Sequence, residues 1–223
     1  MALKTPTSTP EGPRPPRRTQ QERRETTRRK LLDATIEALV ELGHARLTTV
    51  EVAKRAGLSQ GALFTHFDTK EELLAAAVEH LFPRIIQDYL AGVGARPSSR
   101  DRIATAVDML WAAYQRPELQ AAIELYVAAR TDPELRAALE AVDGPHRENL
   151  HRVARELFPE VAATHPDFDA VVELALDAVQ GAVVGGSARP NDPAHRRMLD
   201  TLTRVMRSAF SPTPERPRRR SRP

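Results

Sequence analysis

The sequence predicts an all-α protein, with a small N-terminal unit of three helices followed by a larger helical domain. Three observations carry this. Alanine, leucine, arginine and glutamate dominate the 223 residues, and all four favour helix. Strand-type alternation is nearly absent. Helix-start signals recur along the chain, among them Thr48, Ser59, Asp132-Pro133 and Asp192-Pro193.

The first helix is expected over residues 27–43, with Leu31, Leu32, Thr35, Ile36, Leu39 and Leu42 along one stripe. Thr48 to Leu73 then reads as two short helices joined by a tight turn, with a third starting behind. A capping box opens the first of these, Thr48 accepting from the Glu51 amide while Glu51 reaches back to Thr48. Val50, Val52 and Ala53 form its apolar face, and Gly57 suits the left-handed conformation that closes a helix. Ser59 caps the next helix, whose Leu63 and Phe67 lie one turn apart on an inner face. Opposite them, Gln60, Gly61, Thr65 and His66 are polar or very small. That outer face suits insertion into a DNA major groove.

Asp68 or Thr69 caps a helix that opens with Lys70 and runs to about Ala91, where Pro83 is able to kink or divide it. Gly92 to Ser99 breaks the helical pattern. Residues 101–115 place Ile103, Val107, Leu110, Trp111 and Tyr114 on one face, and Arg116-Pro117 starts a further helix running to about Arg130. Asp132-Pro133 starts another that reaches about Phe158, with a bend or interruption expected at Asp143-Gly144-Pro145. The stretch from Asp167 to about Gly185 is apolar over most of its circumference and is expected to be buried on more than one side. Asp192-Pro193 opens the last helix, with Met198, Leu199, Leu202, Val205 and Met206 as its stripe.

Charge is unevenly distributed. Residues 1–30 carry a net of +6 and residues 211–223 a net of +4, so the whole-chain +3 leaves −7 on residues 31–210. Both ends are rich in proline and short of large apolar residues, and neither is expected to fold alone. The organisation this suggests is a basic arm over 1–22, a helix-turn-helix domain over 23–80, a helical domain over 81–210 and a basic tail over 211–223. Arg23, Arg24, Arg28, Arg29 and Lys30 abut or open the first helix and are candidates for neutralising phosphates. The absence of cysteine excludes disulfides and thiolate metal sites. No signal-peptide core and no run of membrane-spanning length is apparent, so a soluble, cytoplasmic protein that touches no membrane is expected.

The stretch Arg29 to Leu74 resembles the N-terminal DNA-binding domain of the TetR family of transcriptional regulators. The resemblance rests on Leu42-Gly43, Thr48-Thr49, Ala56-Gly57-Leu58-Ser59, Gly61, Leu63-Phe64, His66-Phe67 and Lys70-Glu71-Glu72-Leu73, in order and at family spacing. It covers about one fifth of the chain. By position in that motif, Thr48 or Thr49 meets phosphate, and Ser59, Gln60, Gly61 and Ala62 form the leading end of the recognition helix. Gln60 is the first candidate for base reading, because its amide pairs bidentately with adenine. Thr65 is placed for a thymine methyl or a phosphate, and His66 and Lys70 for phosphate. Phe64 departs from the family, which usually carries tyrosine there, and leaves only apolar contact with sugar or thymine. Leu63 and Phe67 are core, and Lys54 and Arg55 are solvated.

The resemblance further implies a homodimer joined through the last two helices as a four-helix bundle, binding double-stranded DNA and controlled by a small-molecule effector held among the helices of the larger domain. Phe82, Tyr89, Trp111, Tyr114 and Tyr126 hold much of the aromatic surface and are the candidates for lining that pocket, Trp111 and Tyr114 first. A repressor is expected more than an activator. No cofactor and no metal are expected: His146 and His151 are five residues apart, which misses the spacing that turns two imidazoles toward one ion. Gly181, Gly185 and Gly186 lack the lysine of a phosphate loop, and no nucleophile elbow occurs, so an enzyme is not expected. The alternative is a helical effector-binding or dimerisation protein with impaired DNA binding. Phe64 and the four Lys/Arg against eight Asp/Glu over residues 31–80 leave that alternative open.

Overall fold

The structure, a computed structural model, describes residues 19–95, 101–187, 189 and 192–211. Its described residues form ten α-helices and a short 3-10 turn, with no strand. They are α1 (Gln20–Leu42), α2 (Thr49–Arg55), α3 (Gln60–Phe64), α4 (Lys70–Gly94) and α5 (Arg102–Tyr114), then α6 (Pro117–Ala128), α7 (Pro133–Leu157), α8 (Pro159–Thr164), α9 (Phe168–Gly186) and α10 (Pro193–Phe210). Most of the basic arm, the basic tail and the end of the breaker segment after residue 95 lie outside the described residues.

Local chemistry explains where most helices begin. Thr48, Ser59, Thr69, Asp101, Asp132 and Asp192 each accept a hydrogen bond from an amide in the first turn behind them. Two starts differ from expectation. α1 begins seven residues before residue 27, because Thr19 and Glu22 form a full capping box at its head. Residues 20–22 are therefore helical rather than part of an arm. At Thr48 only half of the expected box forms, since Glu51 accepts from Arg55 Nε at 2.8 Å instead of reaching back. Gly57 closes α2 at φ 69°, as its position suggested, and the 3-10 turn over His44–Arg46 follows Gly43 at φ 72°.

Neither internal proline interrupts its helix. α4 runs unbroken for 25 residues through Pro83, and α7 for 25 residues through Pro145. Pro83 and residue 79 are both exposed, as are Pro145 and residue 141, so the carbonyls that lose an amide partner lie on solvent-facing sides where water replaces it. α8 is an element the sequence reading did not separate; Pro159 at its first position begins it anew after Phe158.

One continuous apolar core joins the helix-turn-helix to the larger domain. Leu31 and Leu39 of α1, Val52 of α2, Leu63 of α3, Leu74 and Leu81 of α4, Leu125 of α6 and Leu135 of α7 all belong to it. Leu63 is fully buried and Phe67 nearly so, which holds α3 in this shared core with α2 as its helical neighbour. A second cluster joins Val107 of α5 to Val179 of α9 and to Leu199, Leu202 and Met206 of α10. α9 is buried on one side only in the single chain. Leu174 and Val184 on its opposite side, with Val205 of α10, remain exposed.

Gly57 has open space around its Cβ position, so replacing it costs backbone strain alone. Gly57→Ala is expected to destabilise the protein by about 1 kcal/mol in chemical denaturation. Gly61→Ala, within helix α3 and with Ser59 Oγ 3.9 Å from the new methyl, is expected to be neutral or stabilising.

Candidate DNA interface and effector cavity

The outer face of α3 is assembled from its own cap outward. Ser59 Oγ accepts from the Ala62 amide at 3.1 Å and sets the start of the helix. Gln60, Gly61, Phe64 and Thr65 are exposed, while Ala62 and His66 are half-buried. Gln60 Nε2 donates to Thr49 Oγ1 at 3.0 Å, so the two leading polar side chains of α2 and α3 are held together. Thr65 Oγ1, at the C-terminal cap of α3, donates to Ala62 O at 2.7 Å. Thr48 is exposed beside them and Lys70 half-buried at the start of α4. Of the sequence-predicted contact residues, Gln60 and Thr49 are joined directly across α2 and α3.

Two of the α1 arginines border that surface. Arg28 lies over the Phe67 ring at 4.7 Å from its centroid. Burial first, and then the charges of Arg24 and Arg28, push the His66 pKa below its ordinary value. Arg55 is not solvated as expected. Its guanidinium is committed to Glu41 and Glu51, both at 2.8 Å, which braces α2 against α1. Lys54 is exposed, in line with its expectation.

Behind the motif, α4, α5, α6, α7, α9 and α10 enclose an apolar cavity of about 100 Å3. Phe82, Ile85, Ile86 and Tyr89 of α4 form one wall; Val107, Leu110 and Tyr114 of α5, Leu150 and Phe158 behind α7, and Leu176 of α9 complete it. A smaller polar chamber adjoins it, lined by Tyr126, Asp143, His146, Arg147, Asp177 and Gln180, with Phe82 and Tyr114 shared between the two. Burial raises the Tyr89 and Tyr114 pKa values to about 12 and pushes Tyr126 up as well, so all three hydroxyls stay protonated at neutral pH. His146 stacks on Phe82 with ring centroids 3.4 Å apart, and burial lowers its pKa to about 4.

Four of the five predicted aromatic residues line these chambers. Trp111 does not. It packs on His195 of α10, with ring centroids 5.1 Å apart, beside a separate cavity that also touches Asp108 and Arg196. Val107, Leu110 and Tyr114 form the α5 stripe that faces the apolar cavity, and Trp111 stands to one side of it. His146, Asp143, Arg147 and Asp177 were not anticipated as lining. Asp143 and Arg147 stand one turn apart, and Asp177 is an acid within an apolar helix, which was the available signal.

Known proteins match both halves of the chain. Residues 31–77 match the family described as bacterial regulatory proteins, tetR family, and residues 90–208 match the tetracyclin repressor-like C-terminal domain. The chain belongs to the TetR family of transcriptional regulators. An uncharacterized HTH-type transcriptional regulator of Mycobacterium tuberculosis is 32% identical over 189 residues, covering 85% of this chain and 97% of the relative. CymR of Pseudomonas putida, an HTH-type transcriptional regulator, is 44% identical over 73 residues, which are 33% of this chain and 36% of CymR. A TetR-family regulator of Mesorhizobium loti shares the fold at a TM-score of 0.65 and 16% identity, covering 83% of this chain and 97% of that one. This TetR-family regulator is thus a DNA-binding protein rather than an enzyme. Among its described residues no helix is long and apolar enough to cross a membrane.

The buried imidazole gives the fold a pH dependence of fixed sign. His146 binds its proton more weakly folded than unfolded, so its contribution to stability is complete above about pH 6.5 and is lost as pH falls toward 4. The loss is on the order of 3 kcal/mol. His146→Phe preserves the stack on Phe82 and is expected to remove this component from the pH profile of unfolding, measured as the difference from wild type.

Proposed function

We propose that the protein is a homodimeric repressor that binds a palindromic operator and leaves it when a small molecule fills the cavity behind α4. The observation that carries this reading is the continuity of α4. Its first turns supply Leu73 and Leu74 to the core that holds Leu63 of the recognition helix, and Phe82, Ile85, Ile86 and Tyr89 farther along the same helix wall the cavity. A ligand that favours one position of those side chains over another biases a helix that packs on α1, which in turn carries α2 and, through it, α3. Glu124 supports a second link. It projects from α6, which contributes Ile123 and Tyr126 to the polar chamber, and accepts from the His44 amide at 2.9 Å at the turn leading into α2. Gly43 leaves room for that carboxylate, since a Cβ there would stand 3.2 Å from Glu124 Oε1.

The exposed apolar row of Leu174 and Val184 on α9 with Val205 on α10 supports dimerisation. Leu174 and Val184 are exposed on the side of α9 away from its buried residues, and Val205 is exposed on α10, which packs beside it. A second copy seated on this face by a two-fold axis covers both rows at once and presents two α3 helices to one side of a duplex. In the DNA complex, Gln60 reads a base edge, Gly61 and Ala62 admit close approach, and Phe64 packs on sugar or a thymine methyl. Thr48, Thr49, Ser59, Thr65, His66 and Lys70 position the backbone, and Arg24 and Arg28 add phosphate neutralisation.

Selection from a pool of random DNA duplexes tests this reading. Wild type is expected to enrich a palindrome, and enrichment of a single unrepeated half-site would contradict the dimer. Gln60→Ala is expected to change the enriched sequence, while Lys70→Ala weakens binding to all sequences about equally. Equal losses on every sequence for both variants would remove the division between reading and positioning.

A further inference from the structure

The polar end of the cavity has an excess of acceptors. Arg147 is already committed there: its Nε lies 3.3 Å from Asp143 Oδ2, and another of its nitrogens pairs with Glu173. Asp177 has no cationic partner among the described residues. The Tyr126 hydroxyl and His146 Nδ1 are both buried without a hydrogen-bond partner. His146 is neutral at pH 7 and brings no positive charge. The chamber therefore holds two carboxylates against one engaged guanidinium, next to two polar atoms able to accept a hydrogen bond. From there the lining turns apolar past Phe82 and Tyr114, whose rings border both chambers and offer faces that attract a cation.

We propose that the cavity takes amphipathic organic cations, amines carrying an apolar body, with the body between Phe82 and Phe158 and the charged head beside Asp177, Asp143 and Tyr126. The proposal rests on reading this cavity as the effector site. An apolar acid of the same size is disfavoured: its carboxylate meets the unpaired Asp177 and has to displace Asp143 or Glu173 from Arg147. A neutral alcohol fills the apolar chamber equally well and leaves Asp177 uncompensated. Asp177 also stands between Leu174 and Gly181 on the exposed face of α9, so a second copy seated there shields the head group from water and strengthens its attraction to the acid.

Calorimetric titration of the full chain with decylamine, decanol and decanoate, each below its micelle concentration, tests the assignment. Decylamine is expected to bind tightest, decanol on the order of tenfold more weakly, and decanoate more weakly still. Asp177→Asn is expected to weaken decylamine on the order of tenfold and leave decanol unchanged, with sedimentation showing the same mass for both proteins. Equal affinity for the three compounds, tightest binding of decanoate, or equal loss of decylamine and decanol in Asp177→Asn would overturn the proposal. The titration contains no DNA, so its failure removes the ligand class. Failure of the duplex selection instead removes the operator reading and leaves the titration standing.

Discussion

α4 has to satisfy two sets of neighbours with one rigid body. Leu73, Leu74, Ala77 and Leu81 are all at most 2% exposed and lock its first half into the core that also holds α1, α2 and α3. Phe82, Ile85 and Ile86 follow within the next turn and a half, where they line the apolar cavity. A helix of 25 residues spans roughly 37 Å, so it connects two distant sites without an intervening joint. Close-packed side chains cannot absorb a displacement by small local adjustments, which is why the position of this helix matters at both ends. Pro83 is tolerated at the boundary because it faces outward, where water serves the freed carbonyl.

The electrostatics of the DNA-facing side follow from which cations are left over. The motif itself is acidic in sum, and one of its few cations, Arg55, is spent on bracing α2 through Glu41 and Glu51. Positive charge reaches the recognition surface from α1 instead, where Arg24 and Arg28 stand close enough to His66 to depress its pKa. The early start of α1 under the Thr19–Glu22 capping box places these side chains on a defined helical face. In the proposed complex, phosphate neutralisation draws on a segment that precedes the recognisable motif, and the salt dependence of binding would report that segment as much as the motif.

The helix-turn-helix was legible because each of its signals is local: caps at Thr48 and Ser59, a left-handed glycine at Gly57, and an inner pair in Leu63 and Phe67. The cavity was only partly legible. Tyr89, Tyr114 and Tyr126 were found by their aromatic bulk, whereas Trp111 shows that bulk does not settle direction; a small rotation around α5 assigns it to His195 and α10 instead. The polar lining was missed because it combines Tyr126 of α6 with Asp143, His146 and Arg147 of α7 and Asp177 and Gln180 of α9, and no sequence spacing relates residues on separate helices. Pro83 and Pro145 misled in the same way, since their effect depends on which side of the helix faces water and not on the residue alone.

Native-state hydrogen exchange along α4 tests the central claim, that the recognition unit and the cavity share one mechanical element. If they do, buried amides from Leu74 to Ile86 exchange with a common free energy equal to that of global unfolding, shifting together when the protein is destabilised. Two separate free energies, with the residues before Pro83 opening independently of those after it, would show a joint in the helix and contradict the coupling derived from its continuity.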